Sequence, residues 1–272
     1  MKNKENKIKK KFKNRAYIIA WISFLLVIML NYMAYMGILF KYSQIETSNM
    51  YTNLLSPPSF VFSIWVVIYI GMILFLIMPL GKKLSMSDDE FYYDKLIPIF
   101  IGSSICNVLW TITWNNDLIM PALIAIMAYT VTLVHLVKAI DRNKKFSEKY
   151  KIFVTIPSGL HAGWLLFSTF TNVITILVKE GNNPFGIFGL FITLVLLIIS
   201  WTLIFYVYKE NPNIGLVIPL IWALFGLVIK HKPGSSFSNP SLVVLFLSII
   251  LLILSVICVY MLKRNKQFVK FF

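Results

Sequence analysis

Eight long apolar stretches alternate with shorter polar ones along this chain, and each is close to the length that crosses a bilayer as a helix. The pattern predicts helices over about 16–40, 59–80, 96–114, 118–140, 152–178, 185–208, 213–230 and 241–262. The opening around Pro57-Pro58 is distinctive: two prolines end one segment and start the next, with Ser59 as a candidate N-cap and Pro79 and Gly81 closing the helix.

Within the apolar stretches the aromatic and polar residues fall on helical stripes. Phe62, Trp65, Tyr69 and Met72 are spaced three, four and three apart on the second helix. Asn107, Trp110, Thr111 and Trp114 share a face of the third, and His161, Trp164, Ser168 and Asn172 share one of the fifth. The first helix carries Tyr17, Trp21, Phe24, Ile28, Asn31 and Tyr35, and Asn31 would be costly against lipid, so it is expected to face the bundle. Each stripe taken alone reads either as interhelical packing or as the wall of a flat apolar pocket. The last three helices are rich in Leu, Ile, Val and Phe. Ser241, Ser248 and Ser255 recur every seven residues there, a spacing suited to close packing.

The connections differ in character. Residues 41–58 are polar and long for a membrane hairpin; they either fold back over the helix ends or stay mobile. Asn115-Asn116-Asp117 is so short a turn that the third and fourth helices must be antiparallel neighbours. The 81–95 loop mixes Lys82, Lys83 and Lys95 with Asp88, Asp89, Glu90 and Asp94, whereas 138–151 is strongly basic. Pro212, Pro233, Gly234 and Pro240 break the chain between the last helices.

Composition narrows the class. A hydrophobic fraction of 58%, a charged fraction of 14% and a mean hydropathy of +0.76 identify an integral membrane protein. The net charge of +15 sits largely in loops and ends: residues 1–15 hold eight Lys/Arg against Glu5, and Lys263, Arg264, Lys266 and Lys270 follow the last helix. Beside membrane spans such basic ends point to anionic lipid and not to nucleic acid. With the N-terminus cytoplasmic, the basic central loop and the C-terminus fall on the same side, so a multi-pass cell-membrane protein with both termini cytoplasmic is expected; Lys230 and Lys232 count against this placement. The apolar run from Ala16 is too long for a cleaved signal segment. Cys106 and Cys258 lie inside apolar stretches and indicate neither a disulfide framework nor a zinc site.

The motifs of several chemistries are missing. There is no phosphate-cradling glycine loop, no metalloprotease histidine pair and no paired carboxylates within a helix, so no catalytic or metal-binding residue is assigned and no cofactor is required. His231 reads as a loop residue and His135 as interfacial; His161 is the one that shares a face with a tryptophan. The helix centres hold essentially no Asp, Glu, Lys or Arg, which weighs against an ion-coupled carrier but not against a facilitator.

The Pro57–Met72 stretch, Asn107-x-x-Trp110 and Trp164-Leu-Leu-Phe-Ser-Thr-Phe-Thr-Asn172 occur in an order that resembles the tryptophan-rich sensory protein/translocator protein (TspO/MBR) family. The likeness covers about residues 16–178, with Phe60 where the family commonly has Trp. It implies a five-helix core over 16–178 between a basic tail at 1–15 and three additional helices over 179–262, with a second basic tail at 263–272. It further implies a bundle pocket for flat apolar ligands, porphyrins and haem-like tetrapyrroles among them, lined by Trp65, Tyr69, Asn107, Trp110, Trp164 and Asn172. Trp114, His161 and Ser168 share the same stripes and complete the candidate set. The leading expectation is a receptor or sensor for a planar hydrophobic small molecule, in contact with membrane lipid and compatible with a homodimer; the alternative is a transporter or facilitator of a small amphipathic metabolite.

Overall fold

The structure, a computed structural model, describes residues 2–81 and 84–269, with side chains over 13–80 and 84–264. Lys82, Lys83 and Lys270, and the side chains of Lys266 and the first twelve residues, lie outside that description. The helices are α1 (Lys2–Met36), α2 (Gln44–Met50), α3 (Ile64–Gly81), α4 (Met86–Phe91), α5 (Ile97–Asn115), α6 (Ile119–Arg142), α7 (Lys144–Lys149), α8 (Ile156–Lys179), α9 (Ile187–Glu210), α10 (Ile218–His231) and α11 (Leu242–Val269). Two 3-10 turns, Ser59–Ser63 and Ile214–Leu216, and two π turns, Tyr92–Leu96 and Lys151–Thr155, join them. No strand occurs among the described residues. Eight stretches are long and apolar enough to cross a membrane: Lys13–Met36, Ser59–Leu80, Met86–Asn115, Ile119–Arg142, Lys151–Lys179, Ile187–Glu210, Ile214–His231 and Leu242–Arg264. The protein is an all-α polytopic membrane bundle, as the apolar pattern predicts.

Several boundaries move for identifiable reasons. The first span ends at Met36 and not near 40, because Gly37 adopts φ +67° and a Schellman pair caps the helix, Gly37 N–H to Ala34 O and Ile38 N–H to Met33 O. Ser59 is not an N-cap: Pro58 holds the extended cap position of a 3-10 turn, and the α-helix begins only at Ile64. Pro79 lies inside the last turn of α3, which runs to Gly81. A proline cannot donate to the carbonyl four residues back. Here that carbonyl, Phe75 O, accepts instead from the Tyr92 hydroxyl at 2.8 Å, and Leu76 O beside it accepts from Tyr17 at 2.5 Å.

Within the charged connections residues 86–96 and Lys144–Lys149 are helical, and the two stretches share one construction. In each, a polar cap (Ser85 accepting from Asp88 N–H, Asn143 accepting from Phe146 N–H) starts a one-turn helix. A π turn follows and then an Ile-Pro pair, Ile97-Pro98 or Ile156-Pro157. Proline removes one i→i−4 bond and crowds the turn behind it; the backbone widens to i→i−5, with Ile97 N–H reaching Tyr92 O and Ile156 N–H reaching Lys151 O. Their opposite charges pair across space. Lys149 binds Asp88 at 2.6 Å, Tyr150 adds a hydroxyl bond to the same oxygen at 3.2 Å, and Lys13 of α1 meets Asp89 at 2.7 Å. The Asp88 hydrogen bond also holds the Lys149 ammonium above its ordinary pKa.

By its contacts the chain divides into two units. The first comprises Met1–Thr47 and Tyr69–Ser158; in it α1 packs on α5 and α5 on α6. The second comprises Ser48–Ile68 and Gly159–Phe272; in it α10 packs on α11, and α11 on α9. Ile18, Ile22, Leu25 and Met29 form an exposed apolar stripe down α1, and Phe246, Ile250, Ile253 and Ile257 do the same on α11, as lipid contact requires. Ser248 and Ser255 are fully buried, and Ser255 accepts from the Trp201 indole at 3.0 Å, tying α11 to α9.

Candidate functional site

The second unit gathers the aromatic residues of the Pro57–Met72 stretch onto α8. Trp164 is 2% exposed, and its ring meets the Phe62 ring at 6.1 Å and the Trp65 ring at 6.4 Å, both nearly perpendicular. Trp65 also meets the His161 imidazole edge to face at 5.9 Å. Edge-to-face geometry is the favoured arrangement for rings whose faces are electron-rich and edges electron-poor. The 3-10 turn is what brings Phe62 to Trp164, because it advances the chain by a tighter turn than an α-helix before Trp65 enters α3. Trp65 is partly exposed, whereas His161 and Trp164 are buried behind it. Further along α8, Asn172 is buried and donates to Ser168 O at 3.0 Å, so the two meet through the α8 backbone.

The first unit holds the remaining candidates in two groups. Asn107 of α5 is fully buried; its Oδ1 accepts from Asn31 Nδ2 at 2.7 Å, and its Nδ2 donates to the Tyr129 hydroxyl of α6 at 3.3 Å. Thr111 donates to Asn31 Oδ1 at 3.3 Å, so three helices share one polar chain inside an apolar surround. Trp110 and Trp114 stack one turn apart with centroids at 5.7 Å and planes 24° apart. The Trp114 indole N–H and the Asn115 side-chain oxygen are buried with no hydrogen-bond partner among the described residues. Tyr69 packs its ring against Phe24 at 6.5 Å. Sequence reasoning singled out Asn31, Asn107 and Thr111 as polar residues in apolar runs. It missed Tyr129, which carries no periodic signal of its own.

The polar segment before Pro57 is folded and not slack. Ser43 and Glu46 form a capping box on α2: Ser43 N–H donates to Glu46 Oε2 at 2.7 Å, and Glu46 N–H donates to Ser43 Oγ at 3.2 Å. The Ser43 backbone bond holds the Glu46 carboxyl below its ordinary pKa. Asn53 is fully buried and builds the next turn, with Oδ1 accepting from the N–H groups of Leu55 and Ser56 and Nδ2 donating to Tyr51 O. His231 is not a loop residue but the buried last residue of α10, and Lys230 beside it is buried as well.

A shallow open depression lies where α8 ends and α9 begins, lined by Ile174, Leu177, Val178, Phe188 and their neighbours. None of the sequence-predicted site residues lines it. Among the described residues no three His, Cys, Asp or Glu side chains converge as metal ligands would.

Comparison with known proteins gives one match of great extent. The family model described as TSPO-like protein matches residues 17–260, which takes in all eight spans and not only the first five. No curated protein and no solved structure matches the chain. Eight apolar helices, the ordered tryptophan and asparagine motifs on them and a family match over nearly the whole length agree: this chain is a membrane protein of the TSPO-like family.

Proposed function

We propose that this TspO-type membrane protein is a receptor or sensor for a planar hydrophobic ligand of the porphyrin class. The observation that carries the reading is the aromatic group of Phe62, Trp65, His161 and Trp164, in which a partly exposed indole is held upright by buried rings. A flat apolar molecule gains from such a surface by ring contact and loss of hydration, and a rigid ring pays little ordering cost on contact. Within the first unit Trp110 and Trp114 form a separate stacked pair, a candidate aromatic surface of its own. Ser168 and Asn172 of α8 complete the proposed lining in the second unit, with the Asn172 amide as the orienting group, while Tyr69 and Asn107 belong to the first unit's own candidate group.

The same reading puts both termini on the cytoplasmic side. Lys230, one of the two charges that weighed against that placement, is buried against backbone carbonyls and is not a loop charge. The test is titration of purified full-length protein with protoporphyrin IX, followed by tryptophan quenching. Saturable quenching is expected, with affinity reduced about tenfold in a Trp65→Leu/Trp164→Phe variant, equivalent to about 1.4 kcal/mol. Linear, unsaturable quenching, or an unchanged curve in the double variant, would rule the site out.

A further inference from the structure

Helix α10 lies outside the five-helix core that the resemblance implies, yet one face of it is committed to the segment that delivers Trp65. Trp222, Gly226 and Lys230 are spaced four residues apart and so form a single stripe. Every member of that stripe meets the chain between Asn53 and Val61.

At the first position the Trp222 indole donates to Val61 O at 2.9 Å, and its ring meets Phe60 edge to face at 5.7 Å. One turn on, Gly226 lets the 3-10 turn come against the helix backbone. A Cβ there would stand 2.3 Å from Val61 Cγ2, with Pro57 and Pro58 in ordinary contact at 3.4 Å. A turn further, the Lys230 ammonium donates to Asn53 O at 2.6 Å and Ser56 O at 2.7 Å, and stands 4.2 Å from the Phe237 ring centre. His231 adds a fourth tie through Nε2 to Leu54 O at 2.9 Å, while its Nδ1 accepts from Ser241 N–H at 3.1 Å. A carbonyl can only accept and a backbone N–H can only donate, so the ring is fixed as the neutral Nε2–H form.

We infer that Trp222, Gly226 and Lys230 are positioning residues for the Phe62–Trp65–Trp164 aromatic group: α10 is a brace that sets the path of residues 53–63 and thereby the angle at which Trp65 enters α3. The inference rests on the receptor reading for its function, but its geometry can be tested without a ligand. The four hydrogen bonds end on backbone carbonyls of the braced segment, at Asn53, Leu54, Ser56 and Val61, so they act directly on the course of the chain. An ammonium is suited to this role because its three donors can reach two carbonyls while the remaining direction faces an aromatic ring.

The experiment uses a size-for-size suppressor pair. Full-length protein in nanodiscs is labelled with 5-fluorotryptophan, and the Trp65 and Trp164 resonances are assigned by Trp→Phe substitution. Gly226→Ala should push Val61 and move both resonances. Val61→Ala in the same chain removes the clashing methyl, and the double variant should return them to the wild-type positions. Protoporphyrin IX affinity should follow the same course, falling at least threefold in the single variant and recovering in the double. Lys230→Met should raise amide exchange of Leu55 and Ser56 and move the Trp65 resonance, with the overall helix content unchanged. The brace is overturned if Gly226→Ala lowers thermal stability while both resonances stay in place, or if the double variant fails to restore them. Absence of protoporphyrin binding by wild-type protein would count against the receptor reading alone, since the fluorine spectra still decide the brace.

Discussion

At the scale of single residues, the buried amide pair Asn31–Asn107 shows how polar side chains are kept inside an apolar bundle. Each has its partner on another helix, and Tyr129 and Thr111 extend the chain. Replacing Asn31 by Leu strands Asn107 Oδ1 without its 2.7 Å donor, and the loss is expected to be about 0.5–2 kcal/mol, read from thermal unfolding in detergent. Asn31→Leu/Asn107→Leu should cost less than the two single losses added together. Asp117 is the one non-glycine residue among those described with positive φ, at 62°, in the Schellman cap that ends α5. Asp117→Gly should therefore raise the unfolding midpoint, by an amount corresponding to about 0.5–1 kcal/mol.

Asn31 was legible in the sequence because an amide in an apolar run has few places to go. Its partners were not, because a hydrogen bond across 76 residues leaves no trace in local periodicity. Lys230 was misread for a related reason. At the end of a span it looks like a loop charge, and only the return of residues 53–56 to the same place gives it carbonyls to bind.

At the scale of elements, proline marks where the helical backbone changes its hydrogen bonding. Pro79 and Gly81 were expected to close the helix near residue 80; α3 runs to Gly81 with Pro79 inside it, and Tyr92 takes over the orphaned Phe75 carbonyl. Tyr92→Phe removes that donor and should destabilise by about 1–3 kcal/mol. In a Pro79→Ala background the restored N–H can serve Phe75 O, so the same change should cost distinctly less; equal costs in the two backgrounds would contradict the explanation. The eight apolar stretches were plain from hydrophobicity alone. The short helices α4 and α7 and the π turns after them were not, since charged residues followed by Ile-Pro read as loops until the caps at Ser85 and Asn143 are seen in place. The α2 capping box was also available as Ser43-x-x-Glu46, although it lies in a segment whose polarity suggested slack.

That box carries a pH dependence of known sign. The folded-state pKa of Glu46 is lowered, first by the Ser43 backbone bond, so its contribution is present above the unfolded carboxyl pKa and is lost as pH falls through the folded value. Amide exchange of α2 should be slower in wild type than in Glu46→Gln at neutral pH, and the difference should vanish in acid.

At the scale of the whole molecule, the family match over residues 17–260 assigns all eight spans to one TSPO-like chain. Each of the two units is built from segments distant in sequence, and each is internally tied by the polar links described above. The helices beyond the fifth looked bland because their work is done by features that composition hides: a glycine whose missing Cβ admits Val61, and an indole whose N–H finds a backbone carbonyl. The ordered tryptophan motifs were the part of the candidate site that could be read in advance. Phe62 could be placed on a stripe, but its approach to Trp164 depends on a 3-10 turn that hydrophobic spacing does not encode.

The most direct test of ligand recognition by these aromatic residues is photo-crosslinking of the full-length protein in nanodiscs with a diazirine-bearing protoporphyrin, followed by peptide mapping. Recognition at the Trp65–Trp164 group predicts label within Phe62–Ile68 and Gly159–Asn172, competed away by excess unmodified protoporphyrin IX. Label confined to the exposed apolar stripes of α1 and α11, and insensitive to competitor, would contradict it.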